Sequence, residues 1–101
     1  MKKIMETSVR LTESEIKAIK QSVETLDCQA KIYLFGSRVD SRKKGGDIDL
    51  LILSQQLNFD DKLRIKIQLF EQIGEQKIDI VIAKDTSDPF VRIALKQGVM
   101  L

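Results

Sequence analysis

The 101-residue sequence contains no histidine and no tryptophan, and it has a single cysteine, Cys28, and a single proline. Without histidine, a Cys/His zinc site, a Ser-His-Asp triad and a Cys-His dyad are all excluded. One cysteine cannot form a disulfide within the chain. Any acid–base or metal chemistry must therefore use carboxylates, lysines or hydroxyl groups.

Strong charge and long apolar runs are also missing. The net charge is +2 and the isoelectric point is near 8.7, which is too mild to indicate direct nucleic-acid binding. No apolar run is long enough to cross a bilayer, and the N-terminal residues lack the apolar segment of a signal peptide. We therefore expect a cytoplasmic protein that binds neither membranes nor nucleic acid directly.

The length predicts one domain over residues 1–101, because domains typically contain about 100–150 residues. A chain of this size buries only about 60–70% of the surface that it exposes when unfolded. Docking against another subunit would add buried area, so we expect a homo- or hetero-oligomer.

Helices and strands alternate along the chain. The residue patterns predict, in order, a helix over about 12–26 with a Thr12–Glu15 capping box, a strand over 31–35, a polar loop over 41–46, a strand over 47–53, a helix from Asp60 or Asp61 to Gly74, a strand over 77–83, and a helix that begins after Asp88-Pro89 and ends at Gly98. The order α-β-β-α-β-α indicates an α/β or α+β fold, in which helices cover a small sheet.

Three aspartates fall on the predicted strands. Asp47 and Asp49 are two residues apart, so on a strand their side chains point to the same face, while Ile48, Leu50 and Ile52 point to the core. Asp79 occupies the corresponding face of the third strand. If these strands are neighbours, three carboxylates converge on one patch of the sheet. The alternative is that they are ordinary acids on a solvent-facing side of the sheet.

Convergent carboxylates repel one another unless a cation neutralises them. Hard oxygen ligands of this kind suit Mg²⁺, which keeps further positions for water and substrate phosphates. Two such ions about 3.5–4 Å apart can activate an attacking oxygen and neutralise a leaving pyrophosphate. The carboxylates therefore predict a site for two Mg²⁺ ions, with Mn²⁺ as an alternative.

Gly36-Ser37-Arg38 follows the first predicted strand. Glycine lets the backbone approach a phosphate, serine offers a hydroxyl and an amide donor, and arginine adds a bidentate phosphate donor. The alternative is a plain turn at the end of a strand. The place of this segment ten residues before Asp47 favours nucleotide binding.

Two stretches, LFGSR at 34–38 and GGDIDL at 45–50, together resemble the signature of the DNA polymerase β-like nucleotidyltransferases, above all their minimal bacterial and archaeal members. The resemblance implies a short mixed β-sheet flanked by helices. It implies that Gly36 and Ser37 hold the triphosphate of ATP. It also implies that Asp47 and Asp49 bind both metals and that Asp79 is the third catalytic carboxylate.

The chain departs from the family pattern at Gly46, where a serine is usual. Larger members also carry a second domain that binds the acceptor, so here we expect the acceptor to come from another protein. By resemblance, minimal members often form a toxin–antitoxin pair with a helical HEPN-domain ribonuclease, and they silence it by transferring AMP to a tyrosine.

Two other functions fit the sequence. A protein-binding module could retain a vestigial metal site and neutralise its partner by covering it. A transferase for a small acceptor, such as an aminoglycoside, is a third alternative. The Gly-Ser pair and all three aspartates favour the enzyme over the binding module.

Overall fold

Helices and strands alternate in the computed structural model, which describes residues 10–39 and 46–101. Its elements are α1 (Glu13–Glu24), β1 (Lys31–Phe35), a 3₁₀ turn (Gly36–Val39), β2 (Ile48–Leu53), α2 (Phe59–Ile73), β3 (Ile78–Ala83), α3 (Pro89–Gln97) and β4 (Val99–Met100). The predicted fold class and element order are confirmed. Of the loop predicted over 41–46, only Gly46 lies within the described residues.

The four strands form one mixed sheet in the order β3-β2-β1-β4. β1 is antiparallel to both β2 and β4, whereas β2 and β3 are parallel and are joined through α2. A parallel pair needs a long crossover connection, and α2 provides it. Strands β2 and β3 are therefore the neighbours that convergence of the aspartates requires.

Helix caps largely follow the predictions. Thr12 Oγ1 accepts the backbone N–H of Glu15 at 3.1 Å, and Glu15 Oε1 accepts that of Thr12 at 2.9 Å. Asp88 caps α3 and Pro89 takes its first position. The predicted start of α2 at Asp60 or Asp61 is wrong, because Asn58 is the N-cap and Asp61 closes the capping box from the third helical position.

The sheet has a helix layer on each face. On one face, α1 and α2 enclose the larger core, to which β2 contributes Ile48, Leu50 and Ile52, all fully buried. On the other face, α3 packs its Val91 and Ala94 against Leu51. The inward orientation predicted for the β2 isoleucines is confirmed. The opposite face is not simply solvent-facing, because α3 covers part of it.

Among the described residues, no helix combines the length and the hydropathy that spanning a membrane requires.

Candidate active site

Two of the predicted carboxylates meet at the beginning of β2 and β3. Asp49 and Asp79 are direct partners in the parallel register, so their side chains project from the same face of the sheet. This is the face that also carries α3. Asp49 is half-buried and Asp79 is exposed to solvent. The pair therefore lies at an open edge of the molecule that a substrate can reach.

The surroundings of Asp49 raise the pKa of its carboxyl group above the ordinary value. Burial is the largest cause, followed by the negative charges of Asp79 and Asp47 and by side-chain hydrogen bonding with Asp79. The positive charge of Lys77 acts in the opposite direction. The charged form of Asp49 is thus disfavoured in the protein alone, and a bound cation would favour it.

Asp47 lies just before β2 and is half-exposed. Its Oδ2 atom is 3.9 Å from Nζ of Lys77, a distance at which the two charges attract. The parallel register explains this contact, because Ile48 pairs with Ile78 and the preceding residues are brought side by side. The sequence interpretation overlooked Lys77, although its place two residues before Asp79 matches that of Asp47 before Asp49.

Gly36 brings the backbone directly against the Asp49 carboxylate. Its φ angle is +80°, a conformation that residues with a side chain rarely adopt. A Cβ atom at this position would overlap Oδ2 of Asp49 and would lie 3.1 Å from its Cγ. Two independent constraints, backbone conformation and space, therefore require glycine beside the carboxylates.

Ser37 follows in the 3₁₀ turn Gly36–Val39, and its backbone is described there. The turn continues directly from β1, whose last residue, Phe35, is the register partner of Asp49. Ser37 is thus the residue that follows Gly36, whose backbone lies against Asp49. Its assignment as a phosphate ligand stays a prediction.

Arg38 is held by three parts of the protein. Its Nη1 donates to the carbonyl oxygen of Arg10 at 2.8 Å, its Nε to that of Gly46 at 3.3 Å, and its Nη2 to Oε1 of Gln76 at 3.3 Å. These bonds join the segments that precede α1, β2 and β3. The geometry favours Arg38 as a positioning residue for the site, and its predicted contact with phosphate is not tested by these bonds.

An aromatic pair adjoins the carboxylates. Phe35 is opposite Asp49 in the antiparallel register and shares its face. The ring of Phe90, from the first turn of α3, packs edge-to-face on Phe35 with the centroids 5.8 Å apart and the planes at 79°. Phe90 remains 47% exposed, and the sequence alone gave no indication that it would lie near the site.

The donor set suits a divalent cation, although the described residues do not form a complete cage as they stand. Among residues 10–39 and 46–101, no group of three or more Asp, Glu, His or Cys side chains is arranged to hold a metal ion. Asp49 and Asp79 are together, whereas Asp47 is paired with Lys77. Hard carboxylate oxygens that repel one another fit Mg²⁺ or Mn²⁺ by their chemistry.

The family model described as polymerase beta, nucleotidyltransferase matches residues 14–101. The matched range includes Asp47, Asp49, Asp79 and the other residues of the candidate site, with the exception of Arg10. No curated protein matches the chain.

Proposed function

The chain belongs to the polymerase β nucleotidyltransferase family, and we propose that it transfers AMP from ATP to a hydroxyl group of a partner protein. The observation that carries the proposal is the meeting of Asp49 and Asp79 in register, with the backbone of Gly36 against Asp49. Acidic groups brought together beside a close backbone approach are suited to a substrate that carries phosphate and metal.

The proposed reaction is a displacement at the α-phosphorus of ATP. The oxygen of the acceptor hydroxyl forms a new bond to that phosphorus. The bond from the phosphorus to the oxygen that bridges to the β-phosphate breaks, and pyrophosphate leaves with the bonding electrons. The hydroxyl proton passes to a carboxylate, for which we propose Asp79, since its side chain is exposed on the side from which an acceptor approaches.

The protein's own residues supply position and charge in this scheme. Gly36 and Ser37 hold the triphosphate, and Arg38 fixes the turn that carries them through its bonds to Arg10, Gly46 and Gln76. Mg²⁺ or Mn²⁺ held by Asp47, Asp49 and Asp79 would neutralise the phosphates and lower the pKa of the attacking hydroxyl. For Asp47 to bind the ion, its carboxylate would leave Lys77 and contact the metal instead.

A protein acceptor is favoured by the outer surface of α2. Phe59, Leu63 and Ile67 recur every four residues along this helix and are 78%, 63% and 49% exposed. Residues at this spacing lie on one side of a helix, so they form a continuous apolar stripe of the kind that partner helices cover. We propose that the partner is a helical HEPN-domain protein encoded nearby and that the pair is a toxin–antitoxin module.

Intact-mass spectrometry of the partner tests the transfer. Incubation with this protein, ATP and Mg²⁺ is expected to add one or more AMP units to the partner. Asp79→Asn should lower the rate by at least about 100-fold, because it removes both a metal ligand and the proposed proton acceptor. Complex formation should survive this substitution, since α2 packs on the opposite face of the sheet from Asp79.

Binding of nucleotide can be tested without the partner. Mg²⁺ and ATP at about 100 times the dissociation constant should stabilise the folded protein by about 2.7 kcal/mol, and Asp47→Asn with Asp49→Asn should remove this shift in melting temperature.

The pairing of Asp47 with Lys77 favours the alternative of a binding module with a vestigial site. That alternative holds if wild type never adds AMP and Asp79→Asn still neutralises the partner.

A further inference from the structure

The face of the sheet that bears the carboxylates also carries the aromatic pair of Phe35 and Phe90. Asp79 on β3 is beside Asp49 on β2, and Asp49 is beside Phe35 on β1. Phe90 on α3 then packs on Phe35. Acidic and aromatic groups therefore follow one another across the sheet without an intervening strand.

Phe90 is held in place although much of its ring is exposed. Phe35, its neighbour, is itself packed against the cluster of Leu51, Val91 and Ala94. Asp88 caps the helix by accepting the backbone N–H of Phe90 at 2.8 Å, which fixes the start of α3. An edge-to-face contact uses the edge of one ring and leaves other aromatic surface accessible. The ring is thus oriented before any ligand binds.

Two other exposed apolar residues, Phe59 and Ile93, do not present an aromatic ring on the face that bears the carboxylates. Phe59 belongs to α2, which packs on the opposite face of the sheet, and its ring already contacts Nζ of Lys62 at 4.9 Å from the centroid. Ile93 is on α3, is 55% exposed and has no aromatic ring. Of the exposed apolar side chains in the described residues, Phe90 is the aromatic one that packs on Phe35, the register partner of Asp49.

We infer that Phe90, supported by Phe35, is the platform on which the base of the bound nucleoside triphosphate stacks. The inference rests on the proposed function, in which the phosphates lie at the turn that begins directly after Phe35. Stacking on an aromatic face tolerates any base, because every base presents a π-surface. The platform contributes affinity for a nucleoside over bare phosphate, and it discriminates weakly between ATP and GTP.

Calorimetric titration with two probes tests the platform. The probes are Mg²⁺-ATP and Mg²⁺-tripolyphosphate, which shares the phosphate chain but has no base. Phe90→Leu keeps an apolar side chain and removes the ring. We expect it to weaken ATP binding about tenfold, the lower part of the range measured for loss of one base stack, and to leave the affinity for tripolyphosphate unchanged. Ile93→Ala, a matched exposed site on the same helix, should change neither affinity.

A fluorescence measurement gives an independent readout. Because the protein contains no tryptophan, Phe90→Trp introduces a single one at the platform. ATP and GTP should both quench its emission, whereas tripolyphosphate should not. Retained ATP affinity in this variant, together with quenching, supports stacking and shows that the site is intact.

The outcomes separate the platform from the proposed function. If wild type and Phe90→Leu bind ATP equally while Asp47→Asn with Asp49→Asn loses it, the platform is disproved and the nucleotide site stands. If Phe90→Leu weakens both probes equally, Phe90 acts through the structure of the site and the inference is likewise wrong. If wild type binds neither probe, the proposed function and the platform fail together.

Discussion

The two faces of the sheet differ in what lies over them. Within residues 10–39 and 46–101, one face is covered by α1 and α2 and holds the larger core, while the other is covered by α3 and holds a smaller cluster around Leu51. β2 contributes to both, since Leu50 and Leu51 are each fully buried but on opposite sides. The candidate site lies on the second face, at the half-buried Asp49 and the exposed Asp79.

This arrangement separates stability from chemistry within one strand. Ile48, Leu50 and Ile52 of β2 are fixed by the larger core, between the sheet and the layer of α1 and α2. At the other parity, the strand begins with a half-buried carboxylate whose pKa is raised, mainly by burial, and continues into Leu51. On the face covered by α3, Asp79 is exposed and Asp49 is half-buried, so the two carboxylates are accessible to solvent.

The largest effect is expected from alanine substitutions at two adjacent leucines. Leu50→Ala should lower the free energy of unfolding by about 4 kcal/mol, and Leu51→Ala by about 2–3 kcal/mol, because a cavity costs less where the surrounding structure can collapse. The single helix α3 can move toward Leu51 more easily than α1 and α2 can move toward Leu50. Urea denaturation measures the free energy of unfolding of both variants, and the m-values should stay unchanged.

Equal losses for the two leucines would contradict the comparison. They would show that α3 covers its face as rigidly as the two helices cover theirs. Nucleotide affinity is then compared between Leu51→Ala and Leu50→Ala. A larger loss of affinity in Leu51→Ala would indicate that the packing of α3 also supports the candidate site.

An intermediate effect is expected at Ser37, on binding rather than on stability. Ser37→Ala should weaken triphosphate binding by about 1.5–3 kcal/mol, the worth of one hydrogen bond to a charged group, and should leave the melting temperature unchanged. Calorimetric titration with Mg²⁺-ATP gives the affinity. Unfolding of the variant with unchanged affinity would instead identify Ser37 as a structural turn residue.

The smallest effect concerns the pH dependence of stability in metal-free protein. Because folding raises the pKa of Asp49 above its ordinary value of 3.8, the folded state binds the proton more tightly than the unfolded state. The resulting stabilisation is complete below pH 3.8 and is lost as the pH rises through the folded pKa. Asp49→Asn should therefore raise the melting temperature at pH 7, and this gain should vanish in acid.

Asp85 provides a control of opposite sign. Hydrogen bonds from the backbone N–H and the hydroxyl of Ser87 lower the pKa of Asp85. The stabilisation that Asp85 contributes is present above its pKa in the unfolded state and is lost as the pH falls through its pKa in the folded state. Asp85→Asn should thus slightly lower the melting temperature at pH 7. A gain from both substitutions would indicate a general effect of net charge instead of a local one.

Local signals in the sequence were sufficient for most elements. Thr12 with Glu15 and Asp88 with Pro89 predicted helix starts correctly, because capping depends on residues only a few positions apart. The start of α2 was wrong, since Asp61 closes the capping box and Asn58 is the cap. β4 was missed because its two residues are defined by pairing with distant Tyr33 and Leu34, and no local pattern encodes that pairing.

The shared face of Asp49 and Asp79 was predictable from the sequence, whereas the contacts around them were less so. Alternation along two strands placed Asp49 and Asp79 on one face once the strands were neighbours. The contact of Lys77 with Asp47, and the bonds from Arg38 to Arg10 and Gln76, depend on register and loop paths. Phe90 was likewise not recognised beside Phe35, because α3 is packed there by tertiary contacts.

The register between β2 and β3 has a practical consequence. A shift of the pairing by one residue would separate Asp49 from Asp79 and would also turn Ile78 and Ile80 out of the core. A one-residue shift that disrupts the candidate site therefore also disrupts the packing of the core. If nucleotide binds as proposed, titrating a preparation with it counts the correctly folded molecules, and refolding yield can be measured in moles of ligand bound.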